Sequence, residues 1–223
     1  MKKINLRVLL LLLGIGGIVS CQSPTPASTE KVPASPPPNV IYILTDDLGY
    51  GDVGCFGQQT LQTPNIDRLA AEGMIFTQHY AGATVCSPSR ASLMTGLHTG
   101  HTSVRGNKPD GQLLPDSAIT LAEVFKQAGY RTSVLGKWGI GHPPAPDDPA
   151  RNGFDEAYGY INMWHAHNCF PEFLYENGQK VSLPGNKLPD PNPWLNTRPE
   201  GTGISEVKET YASETFTKEE PRG

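Results

Sequence analysis

The 223-residue sequence predicts an α/β fold with a mainly parallel central sheet. Residues 39–45 form a nearly continuous run of apolar and β-branched residues, which is typical of a parallel strand buried on both faces. Two well-delimited helices, over 63–73 and 119–129, alternate with predicted strands at 74–80 and 130–135. This alternation indicates one α/β sheet rather than separate helical and β domains.

The first 38 residues look like a targeting segment followed by a tether. Residues 1–20 combine a basic start with an apolar run, as in a signal peptide. The run ends in a pattern that resembles a bacterial lipobox, which predicts acylation of Cys21 and a lipid-anchored location in the bacterial cell envelope. An ordinary signal peptide with a chance cysteine is the alternative. Residues 21–38, rich in Pro, Ser and Thr, are expected to form an extended tether.

Overall charge and cysteine content restrict the function classes. The net charge is -4, so the chain has no excess of basic residues that would attract nucleic acid, and nucleic acid is not an expected partner. Of the four cysteines, Cys21 and Cys86 fall in motifs, and the sequence spacing leaves open whether Cys55 and Cys169 pair or stay free.

Two carboxylates, Asp46 and Asp47, follow the first predicted strand. Ligands bind at the carboxyl ends of strands in α/β sheets, and adjacent carboxylates there need compensation. A hard cation with oxygen ligands, calcium first and magnesium second, would supply it. The alternative is a polar turn that caps the next segment.

The next helices are predicted from their end signals. Thr63 and Pro64 begin one helix and Gly73 ends it, with an apolar stripe formed by Ile66, Leu69 and Ala70. A second helix is predicted within 85–96, where Pro88 suits the first turn and Gly96 the end. Cys86 then lies at a helix N-terminus that favours anions, and Arg90 lies one turn further on.

Lys137 follows the predicted strand over 130–135, at the turn where that strand ends. It therefore lies on the ligand side of the sheet, where an ammonium group can hold an anionic oxygen or a leaving group. An ordinary surface lysine is the alternative. The polar loop over 98–107 is expected to be exposed and without a catalytic role.

The motif Cys86-x-Pro88-Ser89-Arg90, followed by Leu93, Thr95 and Gly96, resembles the signature of type I (arylsulfatase-like) sulfatases. The resemblance implies a three-layer, alkaline phosphatase-like fold, of which residues 39–223 would be the N-terminal part. It also implies that Cys86 is oxidised to formylglycine by a maturation enzyme, and that the aldehyde hydrate is the nucleophile. Arg90 and Lys137 would stabilise charge on the sulfuryl group, and Asp46, Asp47 and residue 86 would bind the metal.

Residues 129–138 resemble the second sulfatase signature, with one departure. The family pattern places a histidine two residues after the lysine, where this sequence has Gly139. In the family that histidine helps to bind the hydroxyl that deprotonates to release sulfate. His142 is a possible substitute, and a subgroup difference is the preferred explanation.

After the two segments that resemble sulfatase signatures, His165 and His167 lie within an aromatic stretch and form a third candidate region. The pair could line a sugar or aryl pocket, bind a transition metal, or pack as part of an aromatic loop. In the first case His167 is a candidate for substrate binding. After it, residues 171–203 are expected to form a loop and 206–220 a helix.

Together these features predict a sulfuric ester hydrolase that acts on sulfated small molecules or glycans. Later family segments, which supply another histidine, an Asp/Asn pair and a further lysine, have no counterpart here, so the chain by itself is expected to be impaired. The alternatives are a phosphonate monoester or phosphodiester hydrolase of the same superfamily, and a non-catalytic lipid-anchored remnant.

Overall fold

The computed structural model describes residues 36–108, 112–140, 145 and 147–218. The predicted signal peptide, Cys21 and His142 lie outside the described residues. The chain divides into two compact units, residues 1–45 and residues 46–223. Within the described part of the chain, no helix is long and apolar enough to cross a membrane.

The described helices and strands have the following bounds: helices α1 (Pro64–Glu72), α2 (Cys86–Thr95), α3 (Leu121–Gln127), α4 (Asp148–Arg151) and α5 (Ala212–Phe216), and strands β1 (Ser133–Lys137), β2 (Glu156–Tyr160), β3 (Phe173–Glu176) and β4 (Gln179–Ser182). Short 3₁₀ turns occur at Tyr50–Asp52, Gly54–Phe56 and His165–His167. Helices and a sheet therefore occur together, as the α/β prediction requires.

Two predicted strands are wrong. Residues 39–45 and 74–80 are neither helix nor strand, and their apolar side chains are largely solvent-exposed, with Ile41 85% and Met74 77% exposed. Apolar and β-branched residues form a strand only where a neighbouring strand accepts the backbone hydrogen bonds and other side chains cover the faces. In the described residues neither condition is met for these segments.

The sheet has the order β1-β2-β3-β4 and is mixed in the part that the structure describes. β1 and β2 are parallel, with Lys137 opposite Tyr160, whereas β2–β3 and β3–β4 are antiparallel. A two-residue turn joins β3 to β4, with φ angles of 47° at Asn177 and 84° at Gly178. Positive φ at both positions is the geometry that favours an antiparallel hairpin, so the loop predicted over 171–203 contains two strands.

The starts and ends of α1 and α2 follow the predicted signals. α1 begins at Pro64 and is followed by Gly73. α2 begins at Cys86 and ends at Gly96, which has φ of 66°. α3 is shorter than predicted and is capped by reciprocal hydrogen bonds between Thr120 and Glu123. Thr63 does not cap α1; instead its hydroxyl accepts from the Gly54 amide at 2.8 Å.

The main core cluster fixes α2 against the segments that follow β1 and β2. Ala91 of α2 packs in it with Trp138 and Ile140, which follow β1, and with Ile161, which follows β2. A second cluster, formed on the sheet and α5, contains Tyr158, Tyr160, Leu174, Leu183 and Ala212. Among the described residues, which end at 218, the predicted C-terminal helix over 206–220 is confined to α5. The N-terminus of α2 therefore lies beside the carboxyl ends of the two parallel strands.

Candidate functional site

The site is built on the first turn of α2. Cys86 is its first helical residue and is half-buried, while the next residue, Ser87, is buried. The Ser87 hydroxyl donates to the backbone oxygen of Gly139 at 2.7 Å and lies 3.3 Å from the sulfur of Met163. These contacts hold the start of α2 against the turns that follow β1 and β2, and so fix the position of Cys86.

Two cationic side chains converge on one carboxylate, and one of them belongs to Arg90, one helical turn after Cys86 on α2. Lys137 Nζ lies 2.7 Å from Asp46 Oδ2, and Arg90 Nη2 lies 3.3 Å from Asp46 Oδ1. Arg90 Nη1 also donates to the backbone oxygen of Lys137. The two cationic side chains are only 9% and 11% exposed, whereas the Asp46 side chain is 41% exposed. The structure thus brings together three residues that the sequence analysis selected separately.

The cations control the ionisation of Asp46. Partial burial by itself would raise the pKa of this carboxyl, but the hydrogen bond and charge of Lys137, together with Arg90, lower it below its usual value. Asp46 is therefore ionised at neutral pH. The compensation that the sequence analysis assigned to a metal ion is supplied, for Asp46, by two side chains of the chain itself.

The predicted metal ligands do not make a closed site among the described residues. Asp47 is exposed and has φ of 56°, and no group of three or more Asp, Glu, His and Cys side chains in the described part is arranged to hold a metal ion. Asp46, Asp47 and Cys86 therefore supply only part of a calcium site, which takes six to eight oxygen ligands.

Asn107 is a site residue that the sequence analysis missed. It lies in the polar loop that was expected to have no catalytic role, yet its Nδ2 is 3.7 Å from Cys86 Sγ. Its Oδ1 accepts a hydrogen bond from the Ser87 amide at 3.1 Å. Its placement beside Cys86 depends on the loop folding back along α2, so the polarity of the loop alone does not indicate it.

The comparisons with known proteins agree with this geometry. The family model described as Sulfatase matches residues 38–216. The chain belongs to the sulfatase family. It is 42% identical over 139 residues to pig (Sus scrofa) N-acetylgalactosamine-6-sulfatase, covering 58% of this chain and 26% of the relative. Mouse (Mus musculus) steryl-sulfatase is 38% identical over 170 residues, covering 70% of this chain and 26% of the relative.

Solved structures give the same fold. A Bacteroides thetaiotaomicron structure from a locus for the metabolism of multiple glycosaminoglycans is 35% identical with a TM-score of 0.56, covering 65% of this chain and 32% of its own. A structure solved with its substrate D-glucosamine-2-N,6-O-disulfate is 30% identical with a TM-score of 0.56, covering 66% and 28%. The chain thus spans between 26% and 32% of the length of these four proteins. The predicted family and fold class are confirmed.

The surroundings of Gly139 leave no room for the histidine that the family pattern has at this position. Its φ is 74°, which L-residues with side chains rarely adopt. A Cβ at this position would lie 2.8 Å from Cδ of Arg90 and 3.2 Å from Cε of Lys137. The space that a histidine side chain would need is therefore occupied by the stems of the two cationic side chains.

The two histidines of the third candidate region have different environments. His165 is 1% exposed and packs against the rings of Tyr160 and Phe173, with centroids 5.0 and 4.7 Å away. Burial lowers its pKa to about 3, so it is a neutral core residue rather than a pocket-lining one. His167 is much less buried than His165, and its ring lies 5.5 Å from that of Trp164.

The pKa of His167 depends on the charges of Lys137, Asp46 and Asp47. Partial burial and the positive charge of Lys137 lower its pKa, and the charges of Asp46 and Asp47 oppose that shift. His167 is therefore neutral at pH 7. Cys55 and Cys169, whose pairing the sequence left open, are both free thiols.

Proposed function

We propose that this chain supplies the nucleophile and two charge-stabilising cations of a sulfuric ester hydrolase. The observation that carries the proposal is that Arg90, which lies one helical turn after Cys86 on α2, and Lys137 converge on one oxyanion. A sulfate ester presents the same kind of anionic oxygen that these cations hold in Asp46. Little-exposed cations that are fixed before substrate arrives stabilise developing charge most effectively.

In this proposal Cys86 is first converted to formylglycine by a maturation enzyme that brings its own oxidant. One hydroxyl of the hydrated aldehyde attacks sulfur, and the bond between sulfur and the substrate's bridging oxygen breaks, releasing the alcohol. The remaining hydroxyl then loses its proton and the aldehyde reforms as sulfate leaves. Covalent catalysis of this kind replaces one difficult displacement by two easier ones.

Arg90 and Lys137 have distinct roles in the proposal. The forked guanidinium of Arg90 is suited to two oxygens of the sulfuryl group. The compact ammonium of Lys137 is suited to the charge on the departing oxygen. Asp46 keeps both cations in place before substrate binds, because it accepts from each of them.

A bound divalent ion is a separate proposal. The two adjacent carboxylates, Asp46 and Asp47, are oxygen donors of the type that calcium prefers, and magnesium is the second choice. When bound, such an ion would act as a Lewis acid on sulfate oxygens. Calorimetric titration of Ca²⁺ into the full-length protein and its Asp47→Asn variant tests this, and equal heats for the two proteins would contradict it.

We further propose sulfated glycans as the substrate class. The support is the similarity to the structure that was solved with D-glucosamine-2-N,6-O-disulfate. His167, which is neutral and within the influence of the Lys137 charge, is proposed to hydrogen-bond a substrate hydroxyl. A His167→Ala variant should raise KM for a sulfated disaccharide more than for a small aryl sulfate.

The cell-envelope location also remains a proposal and rests on the lipobox-like sequence before Cys21. Metabolic labelling with a clickable fatty acid should mark the protein, and a Cys21→Ala variant should lose the label. Labelling that persists in this variant would contradict lipidation at this residue.

The central experiment tests the nucleophile and the reaction together. The full-length protein is co-expressed with a sulfatase-maturing enzyme, and the peptide that contains Cys86 is examined by mass spectrometry. Conversion of the thiol to the aldehyde, with hydrolysis of an aryl sulfate that is lost in Cys86→Ala, is the expected result. Cys169→Ala, which removes an exposed thiol, is the matched control and should keep full activity.

Paired substrates decide the reaction class. An aryl sulfate, an aryl phosphonate and a phosphodiester are compared at equal concentration with the matured protein. Faster turnover of the sulfate supports the proposal. Faster turnover of either phosphorus ester would assign the chain to the alternative hydrolase class, and no turnover of any substrate by fully matured protein would favour the non-catalytic alternative.

A further inference from the structure

The carboxamide of Asn107 bridges the nucleophile residue and its neighbour. Oδ1 accepts from the Ser87 amide at 3.1 Å, and Nδ2 lies 3.7 Å from Cys86 Sγ. A backbone N–H can only donate, so the contact with Ser87 fixes which end of the carboxamide faces Cys86. The end that faces Cys86 is a hydrogen-bond donor.

The loop that carries Asn107 is held on both sides. Before it, Val104 is completely buried in the main core cluster, and Thr102 donates to its backbone oxygen at 2.7 Å. After it, the indole N–H of Trp164 donates to the backbone oxygen of Lys108 at 3.1 Å. The carboxamide is therefore presented from a fixed backbone and does not rely on a mobile loop.

We propose that Asn107 is a positioning residue for the nucleophile formed at residue 86. The two hydroxyls of a hydrated aldehyde are chemically equivalent until a neighbour distinguishes them. A fixed donor at Asn107 holds one hydroxyl oxygen and leaves the other free to face sulfur. Gly139 cannot provide such a contact because it has no side chain. This inference rests on the proposed function.

The decisive variant is Asn107→Asp. The new carboxylate keeps an acceptor for the Ser87 amide but has no donor for residue 86. If Asn107 only stabilised the start of α2, this variant would keep parental activity. If it positions the nucleophile, kcat per formylglycine should fall by roughly 10- to 100-fold with KM unchanged within about threefold. Formylglycine content is measured by peptide mass spectrometry for each variant.

Two further variants separate charge and loop effects. Asn107→Ala adds no charge and should also lower kcat by at least about 10-fold. Ser103→Ala changes an exposed side chain of the same loop and should leave kcat unchanged. Parental kcat in Asn107→Asp or in Asn107→Ala would overturn the proposal, and so would a loss that is fully explained by lower formylglycine content.

A second measurement keeps the inference testable if the matured parent protein does not hydrolyse sulfate, which would be a failure of the proposed function alone. In the unmatured protein, the Asn107 Nδ2 donor lies beside the Cys86 sulfur, and Asn107→Asp replaces that donor with a carboxylate oxygen. Alkylation of Cys86 by iodoacetamide should then be at least about threefold slower in Asn107→Asp than in Ser103→Ala. Equal alkylation rates would refute the contact between Asn107 and residue 86.

Discussion

Helices α1 and α2 have similar lengths and equally clear end signals, yet only α2 is packed. α1 has an amphipathic sequence but no buried residue, and Leu69 on its apolar stripe is 61% exposed. α2 has a weaker apolar stripe, but Ser87, Pro88, Ala91 and Ser92 are all buried. Amphipathicity therefore does not decide which of the two helices joins the core.

The difference lies in the surroundings of each helix. Small residues on α2 allow close approach to the turns after β1 and β2, and the Ser87–Gly139 hydrogen bond fastens that approach. The apolar side of α1 instead borders an open groove of about 660 Å³, lined in part by Ala70, Ala71 and Ile75. In the described residues, the candidate site therefore lies in the region with buried, closely packed side chains.

The largest expected effect is on activity and compares an arginine of the packed helix α2 with an arginine of the exposed helix α1. Arg90→Ala removes a preorganised cation from the packed region and should lower kcat/KM for an aryl sulfate by roughly 100- to 1,000-fold. Arg68→Ala removes an exposed arginine of α1 and should leave kcat/KM unchanged. Steady-state kinetics on matured protein measures both. Equal losses in the two variants would show that the packed and exposed regions do not differ in function.

The second prediction compares two leucines. Leu174 in β3 is fully buried, so Leu174→Ala should lower the free energy of unfolding by roughly 2–5 kcal/mol through lost burial and a residual cavity. Leu69→Ala on the exposed face of α1 should change it by less than about 0.5 kcal/mol. Urea denaturation of the full-length protein measures both. A large loss for Leu69→Ala would mean that α1 is covered in solution.

Local chemistry explains what the sequence predicted well. The ends of α2 depend on Pro88 and Gly96, which act within a few residues of themselves, and these ends were predicted correctly. The position of Lys137 at the end of β1 was also predicted from its strand. The hairpin turn at Asn177 and Gly178 carried a recognisable local signal, although the sequence analysis assigned that segment to a loop.

Non-local contacts explain what the sequence analysis missed. Residues 39–45 have strand-like composition, but whether they pair depends on other segments. Asn107 reaches Cys86 because Val104 is buried and the loop turns back, which depends on contacts with other segments. The ion pairs that hold Asp46 likewise join residues 44 and 91 positions apart, so the sequence indicated a need for compensation without identifying its source.

The third prediction uses pH to probe the packed region. His165 has a pKa of about 3 in the folded chain because it is buried, whereas an unfolded chain takes up the proton near pH 6.5. Stability that is present above pH 6.5 is therefore lost as pH falls towards 3, by at most about 1.4 kcal/mol per pH unit. Comparison of urea midpoints at pH 7.5 and 5.5 measures it. His165→Phe should flatten this part of the profile, and an unchanged slope would rule out His165 as its source.

The smallest effect tests whether close packing, rather than backbone strain, fixes glycine at position 139. Gly139 and Gly96 have similar φ angles of 74° and 66°, so an alanine should be strained to a similar extent, by about 1–2 kcal/mol, at either position. They differ in space, because a Cβ at Gly96 has no neighbour within 4 Å whereas one at Gly139 would lie 2.8 Å from Arg90 Cδ.

Gly139→Ala should therefore destabilise the protein by about 1 kcal/mol more than Gly96→Ala, as measured by urea denaturation, since overpacking adds to the strain. It should also lower kcat, because Arg90 must move to make room. If both variants lose the same stability and keep the same kcat, Arg90 can move aside without any loss of stability or activity. The packed region would then be able to accept a side chain at position 139, and the lack of the family histidine would have no steric cause.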